Sequence, residues 1–141
     1  MDAYRKNQNF WHFVSTMAYV ALLAATAMVL YWKNGALPKG IEVKDWILIV
    51  FAIFRLTRMF VYDSVMSFVR DNFSEYEKGP GRTVCNLLDC PWCTSVWMAL
   101  PVVFFYFLTP IAWYPIFILA VAGMGAFIQI TIWKIGLEKE D

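Results

Sequence analysis

The residues best equipped for chemistry in this chain lie between Cys85 and Cys93, in the run Cys85-Asn-Leu-Leu-Asp-Cys90-Pro-Trp-Cys93. Two cysteines three positions apart share one turn of a helix. Pro91 suits the first helical position, where its missing N–H costs nothing, so Cys90 is expected to be the N-cap with Cys93 in the first turn. Helix N-termini stabilise thiolates, and a Cys-x-x-Cys placed there is the arrangement used by thiol–disulfide redox pairs. Zinc is the second chemistry. It wants four ligands; Cys90 and Cys93 would supply two, Cys85 a third, and His12 or Asp89 a fourth. Yet zinc sites usually present two spaced pairs, and here there is one pair and a single cysteine. The third reading is packing: small, soft residues that start a helix. Packing is the favoured reading, with redox and metal as the alternatives.

A second set is basic. Arg55 and Arg58 interrupt an otherwise apolar run from Trp46 to Tyr62, one helical turn apart and on a similar face. Arg55 lies about 13 Å along a helix from Trp46 at 1.5 Å per residue. A charge at that depth in a bilayer costs about 2.5–3.5 kcal/mol on insertion scales, so such residues turn inward and find partners. Backbone carbonyls, Tyr62 and snorkelling toward the membrane edge would satisfy them. The sharper reading is an anion or lipid-headgroup site lined by both guanidiniums. Asp63 and Asp89 are available counter-ions, although Asp63 falls off the arginine face of an ideal helix.

The elements that must hold these residues follow from composition. The chain has 141 residues, 60% of them hydrophobic and 18% aromatic, against about 45–50% apolar in soluble domains. A single integral membrane domain, residues 1–141, is the expectation. The formal charge of +1 gives no reason to expect a nucleic-acid partner. The first apolar run is too long for a cleavable signal peptide and lacks its cleavage site. A bilayer core about 30 Å thick needs roughly 20 apolar residues as helix. Four spans result, at about 10–32, 46–62, 90–108 and 113–133. The stretch from Cys90 to Trp133 contains no Asp, Glu, Lys or Arg and is long enough for two crossings, broken at Thr109-Pro110. Indole rings favour the headgroup level, and the tryptophans fall where this partition places the interfaces. Trp11 and Trp32 flank the first span and Trp46 opens the second. Trp92 and Trp97 sit near the start of the third, Trp113 lies in the turn that follows it, and Trp133 ends the fourth.

The fold expected is therefore all-α, a four-transmembrane-helix bundle with a short cytoplasmic amphipathic helix. Arg5, Lys6, Arg70, Lys78, Arg82, Lys134 and Lys139 fall on one side of such a bundle; Lys33, Lys39 and Lys44 fall on the other. The positive-inside rule then puts both termini and the 63–89 loop in the cytoplasm, where thiols stay reduced. Within that loop, Val65, Met66, Phe68 and Val69 carry a helical apolar pattern. Residues 75–82 read as a polar, breaker-rich turn, with re-entry through Cys85–Asp89. Ala21 with Ala25, and Ala122 with Ala126 beside Gly123 and Gly125, would let helices approach closely, within the bundle or between copies.

The segments Ala-Ile-Phe54-Arg55-Leu56-Thr57-Arg58-Met-Phe-Val-Tyr-Asp63 and Leu-Leu-Asp-Cys90-Pro91-Trp92-Cys93-Thr-Ser-Val-Trp97 resemble an uncharacterised family of small bacterial and phage membrane proteins, domain-of-unknown-function family 1360. Its members pair a Phe-Arg-Leu-Thr-Arg segment in one span with a Cys-Pro-Trp-Cys start to the next. The likeness covers roughly 52–101. It implies no activity, and Cys85 and His12 fall outside the pattern.

No Ser-His-Asp set, phosphate loop or paired carboxylates within a span is present, and one histidine leaves little scope for acid–base chemistry. The reading is a multi-pass protein of the bacterial inner membrane, acting as a non-enzymatic accessory or interaction protein. Its expected partners are the lipid bilayer and other membrane proteins or further copies of itself; no cofactor is expected, with zinc the candidate if the cysteines bind metal. The alternatives are a membrane thiol-redox or metal-binding protein working through Cys90 and Cys93, and a small oligomeric channel or phage lysis-type protein.

Overall fold

The computed structural model describes residues 2–35, 40–76 and 79–137; Lys39, Glu77, Lys78 and Lys139 and the side chains of Arg5 and Lys6 lie outside the described set. The described chain is all-helical. In order come α1 (Asp2–Asn34), α2 (Val43–Val61), α3 (Ser67–Ser74), α4 (Pro80–Leu88), α5 (Pro91–Leu108) and α6 (Trp113–Leu137), with short 3-10 turns at Ser64–Met66 and Pro110–Ala112.

α2 is the hub. It packs most extensively against α6 and then against α5, while α5 and α6 meet only sparsely. The core is a cluster of Ile49 and Ala52 from α2, Val102 from α5, and Ala112, Ile116 and Ala120 from the α6 side. Ala112, Ile116, Ala120 and Gly123 recur at spacings of three and four, which is one helical face. At its centre Ala52 is fully buried. Gly123 makes the approach possible: a Cβ there would sit 2.3 Å from the Phe51 carbonyl oxygen. Phe51 and Phe54 both set their rings edge-on to Phe127, at 6.1 and 6.0 Å.

α1 is attached by a narrower stripe. Gln8 Nε2 donates to Thr83 Oγ1 at 2.9 Å. The Tyr19 hydroxyl donates to the Val96 carbonyl at 3.3 Å, with its ring 5.2 Å from that of Trp97. Lys33 donates to the Leu108 carbonyl at the far end. These contacts set the N-terminal part of α1 beside α4 and the start of α5, and its C-terminal end beside the end of α5.

Among the described residues, three helices are long and apolar enough to cross a membrane: Asn7–Asn34, Pro91–Leu108 and Pro110–Gly136. The fourth expected span, 46–62, corresponds to α2 and is not among them. α2 falls short because Lys44, Asp45, Arg55 and Arg58 all lie within its 19 residues. The outward surface of the others is apolar: Phe13, Met17, Leu22 and Leu23 on α1 and Ile118, Val121, Ile128 and Ile132 on α6 are all exposed. Ala21 and Ala25 also face outward, as do Ala122 and Gly125; on α6 the close approach is made by Gly123.

The 63–89 segment holds two helices where one was expected. α3 follows the apolar pattern, whereas Pro80-Gly81-Arg82, read from sequence as part of a turn, begins α4. Pro80 occupies the first turn of that helix, the position proline tolerates best. Gly79 precedes it at φ +81 and ψ −154, a combination essentially confined to glycine.

Candidate functional site

The basic cluster is assembled by the end of α2. The helix stops at Val61, Tyr62 caps it and Asp63 turns to an extended conformation, with the N–H groups of both donating to the Arg58 carbonyl. This bend brings Asp63 back: Arg55 Nη1 lies 3.0 Å from Asp63 Oδ2, both side chains about a quarter exposed. An eight-residue separation would not pair on a straight helix; termination is what joins them. Arg58 does not share that carboxylate. Its guanidinium stands over the Tyr62 ring, 5.1 Å from the centroid, in favourable cation–π range. The two arginines therefore have different partners.

Arg70 completes the corner, and sequence reasoning passed over it. From α3 its Nη1 donates to the Phe60 carbonyl at 2.8 Å and to the Asp63 carbonyl at 3.0 Å. The last turn of a helix leaves carbonyls unpaired, and a cation there also complements the helix dipole. The available signal was the pairing of an Arg with a helix end across a short turn, which the apolar periodicity of 64–69 obscured.

The cysteine corner is built by the α4–α5 junction. Cys90 is the N-cap of α5 in an extended conformation, and its Sγ accepts the Cys93 N–H at 3.4 Å. Pro91 sits at the first helical position. Thr94, 1% exposed, locks the junction by donating its hydroxyl to the Leu87 carbonyl at 2.7 Å. Cys85 is apart from this pair: it is buried on α4 and its thiol points to Asp89 Oδ2 at 3.6 Å. Burial first, and then the negative Asp89, push the Cys85 thiol above its ordinary pKa. All three are free thiols.

His12 and Cys93 line one groove of about 340 Å³, with Tyr19 and Trp97. Among the described residues, no three His, Cys, Asp or Glu side chains gather as a metal set. The tryptophans divide in two. Trp32, Trp46, Trp92, Trp113 and Trp133 are exposed. Trp11 and Trp97 are half-buried, Trp97 packing against α1.

Chemically, this corner can hold charge and cap helices: Arg55 and Arg70 both bind groups where α2 ends. The class so defined is a helical protein with, among the described residues, three apolar helices of membrane-spanning length arranged with a charged hub helix. The chain belongs to the family described as "Protein of unknown function (DUF1360)", whose model matches residues 48–82 and 77–132. That match contains Arg55, Arg58, Asp63 and all three cysteines and excludes His12. Two similar proteins come from Bacillus subtilis (strain 168). UPF0713 protein YngL is 31% identical over 100 residues, covering 62% of this chain and 77% of its own length. Sporulation protein YjcA is 31% identical over 106 residues, covering 62% of this chain and 90% of its own. No solved structure matches.

Proposed function

We propose that this chain is a four-span bacterial inner-membrane protein with both termini cytoplasmic, acting as a non-enzymatic accessory or interaction protein. One observation carries the reading: Arg55 in the middle of the hub is paired with Asp63 where the helix ends, while apolar side chains of α1 and α6 face outward. Arg55, Asp63 and Arg70 close the end of α2, so these three groups serve the fold. α2 is included as a crossing element because it runs alongside α5 and α6 and shares their core. Its 19 residues rise about 28 Å at 1.5 Å per residue, close to a bilayer core of about 30 Å. The similarity to a relative named as a sporulation protein makes spore formation the cellular setting to examine first.

Topology is tested in a variant whose native cysteines are replaced. Ser74→Cys should label only from the cytoplasmic side and Asn34→Cys only from outside. Labelling of both from one side would remove α2 as a span, and the reverse pattern would invert the orientation. Function is tested in a spore-forming strain lacking YjcA, by counting heat-resistant spores. Rescue by the chain and equally by its Cys90→Ala/Cys93→Ala variant supports an accessory role. Rescue that depends on the cysteines favours the thiol or metal reading.

A further inference from the structure

A groove of about 550 Å³ runs between α2 and the start of α5. Its floor is apolar, formed by Val50, Ile53 and Phe54; its mouth is formed by Arg58, Tyr62 and Trp92. We propose that this groove binds one anionic phospholipid, with the phosphate on Arg58 and an acyl chain along Val50 to Phe54.

Three observations support the assignment. First, charge: Arg58 has no carboxylate within ion-pair distance among the described residues, whereas its neighbour Arg55 holds Asp63 and Arg70 holds two carbonyls. Arg58 stands over the face of Tyr62, a contact that leaves guanidinium N–H groups for an anion. A guanidinium suits a phosphate because its planar fork matches the oxygens. Second, register: Val50, Ile53, Phe54 and Arg58 recur at three and four residues along one face of α2. The groove therefore changes from apolar to cationic along the helix, as a lipid changes from tail to headgroup. Third, level: Arg58 lies three residues before the last residue of α2, about 4.5 Å at 1.5 Å per residue. Trp92 beside it is 83% exposed and Tyr62 is also exposed, and such rings sit at the headgroup layer. A free phosphate would use Arg58 but leave the apolar floor unfilled.

The inference rests on α2 crossing the membrane, and its failure is distinguishable from the failure of that reading, because the labelling pattern of Ser74→Cys and Asn34→Cys is independent of lipid choice. The test uses the full chain in nanodiscs of mixed phosphatidylglycerol and phosphatidylcholine, followed by native mass spectrometry of retained lipid. The wild type should retain phosphatidylglycerol about five-fold over phosphatidylcholine, the scale expected for one basic residue at an anionic surface. Arg58→Gln should abolish the preference, Arg58→Lys should keep most of it, and Arg82→Gln should leave it unchanged. Ser95→Phe, which fills the groove beside Trp92, should lower retention of both lipids. Should Arg58→Gln fail to fold, Arg58→Lys and Ser95→Phe carry the test. The proposal is overturned if the wild type shows no preference, if Arg58→Gln keeps it, if Ser95→Phe retains lipid like the wild type, or if millimolar inorganic phosphate displaces the lipid, which would identify a free-anion site.

Discussion

The close approach of α6 to α2 at Gly123 yields the most decisive experiment. Gly123 and Gly125 lie two residues apart in α6, and substitution by alanine adds the same methyl group at each. At Gly125 the new Cβ meets nothing within 4 Å; at Gly123 it would lie 2.3 Å from the Phe51 oxygen, 3.1 Å from the Phe51 carbonyl carbon and 3.3 Å from Arg55 Cβ. Ordinary contact begins at 3.4 Å, so α2 and α6 must separate by about 1 Å, the difference between the two distances. The obstacle is backbone, which no rotamer change removes. Separation would loosen Ile49, Ala52, Ile116 and Ala120, the centre of the core. Overpacking of this kind costs about 1–3 kcal/mol, offset by about 1 kcal/mol of helix propensity gained on replacing glycine. Gly123→Ala should therefore lose up to about 2 kcal/mol and Gly125→Ala should gain up to about 1 kcal/mol. Reversible unfolding in mixed micelles, followed by helical circular dichroism, measures both. Equal stability of the two variants would refute the approach of α6 to Phe51 and with it the packing of the hub.

Other outcomes follow from single contacts. Arg55→Leu should lower the unfolding free energy by about 1.5–3 kcal/mol, the range for hydrogen bonds to charged groups, while Arg82→Leu should change it by less than about 0.5 kcal/mol; equal midpoints would show that the Arg55–Asp63 pair contributes nothing. Thr94→Val should cost about 1 kcal/mol in the same assay, because Leu87 keeps the Cys90 N–H when the hydroxyl is lost; no loss would mean that the α4–α5 junction is not locked there. Cys90→Ser should match or exceed wild-type stability and Cys90→Ala should lose about 0.5–1 kcal/mol, since serine is a strong N-cap and alanine a poor one; the opposite order would sink the capping role. The Cys85 thiol, raised by burial and by Asp89, should stay protonated and unreactive to iodoacetamide past the pH at which an ordinary thiol is alkylated, and Asp89→Asn should move its profile to lower pH; no movement would separate Cys85 from Asp89.

How much of this was legible beforehand depended on the range of the interaction. The apolar runs of α1, α5 and α6 could be read directly, because a membrane-length helix is declared by uninterrupted apolar residues. The cap at Cys90 was also legible, because Pro91 and the cysteine spacing are local signals. The status of α2 was less accessible: its four charged residues lower its apolar character, and its place at the centre of the bundle depends on what surrounds it. The small-residue pairs show the same limit. Ala122 with Ala126 and Gly123 with Gly125 offered more than one face of α6, and only the position of Phe51 selects Gly123. Ala21 and Ala25 looked equally suited to close packing, yet α1 turns its Tyr19 stripe to α5 instead.

The sequence by itself determined an all-helical chain with apolar segments long enough to cross a bilayer, because length and apolarity act residue by residue and need no partner. The tertiary structure decided which charges meet. Arg55 reaches Asp63 only because α2 ends at Val61 and the chain turns back. Arg58 is left beside Tyr62 at the mouth of a groove, and Arg70 reaches across from α3 to the Phe60 carbonyl in the last turn of α2 and the Asp63 carbonyl just beyond it. Such pairings are set by where a helix stops and which element lies against its end, and the periodicity within any one helix carries no record of either.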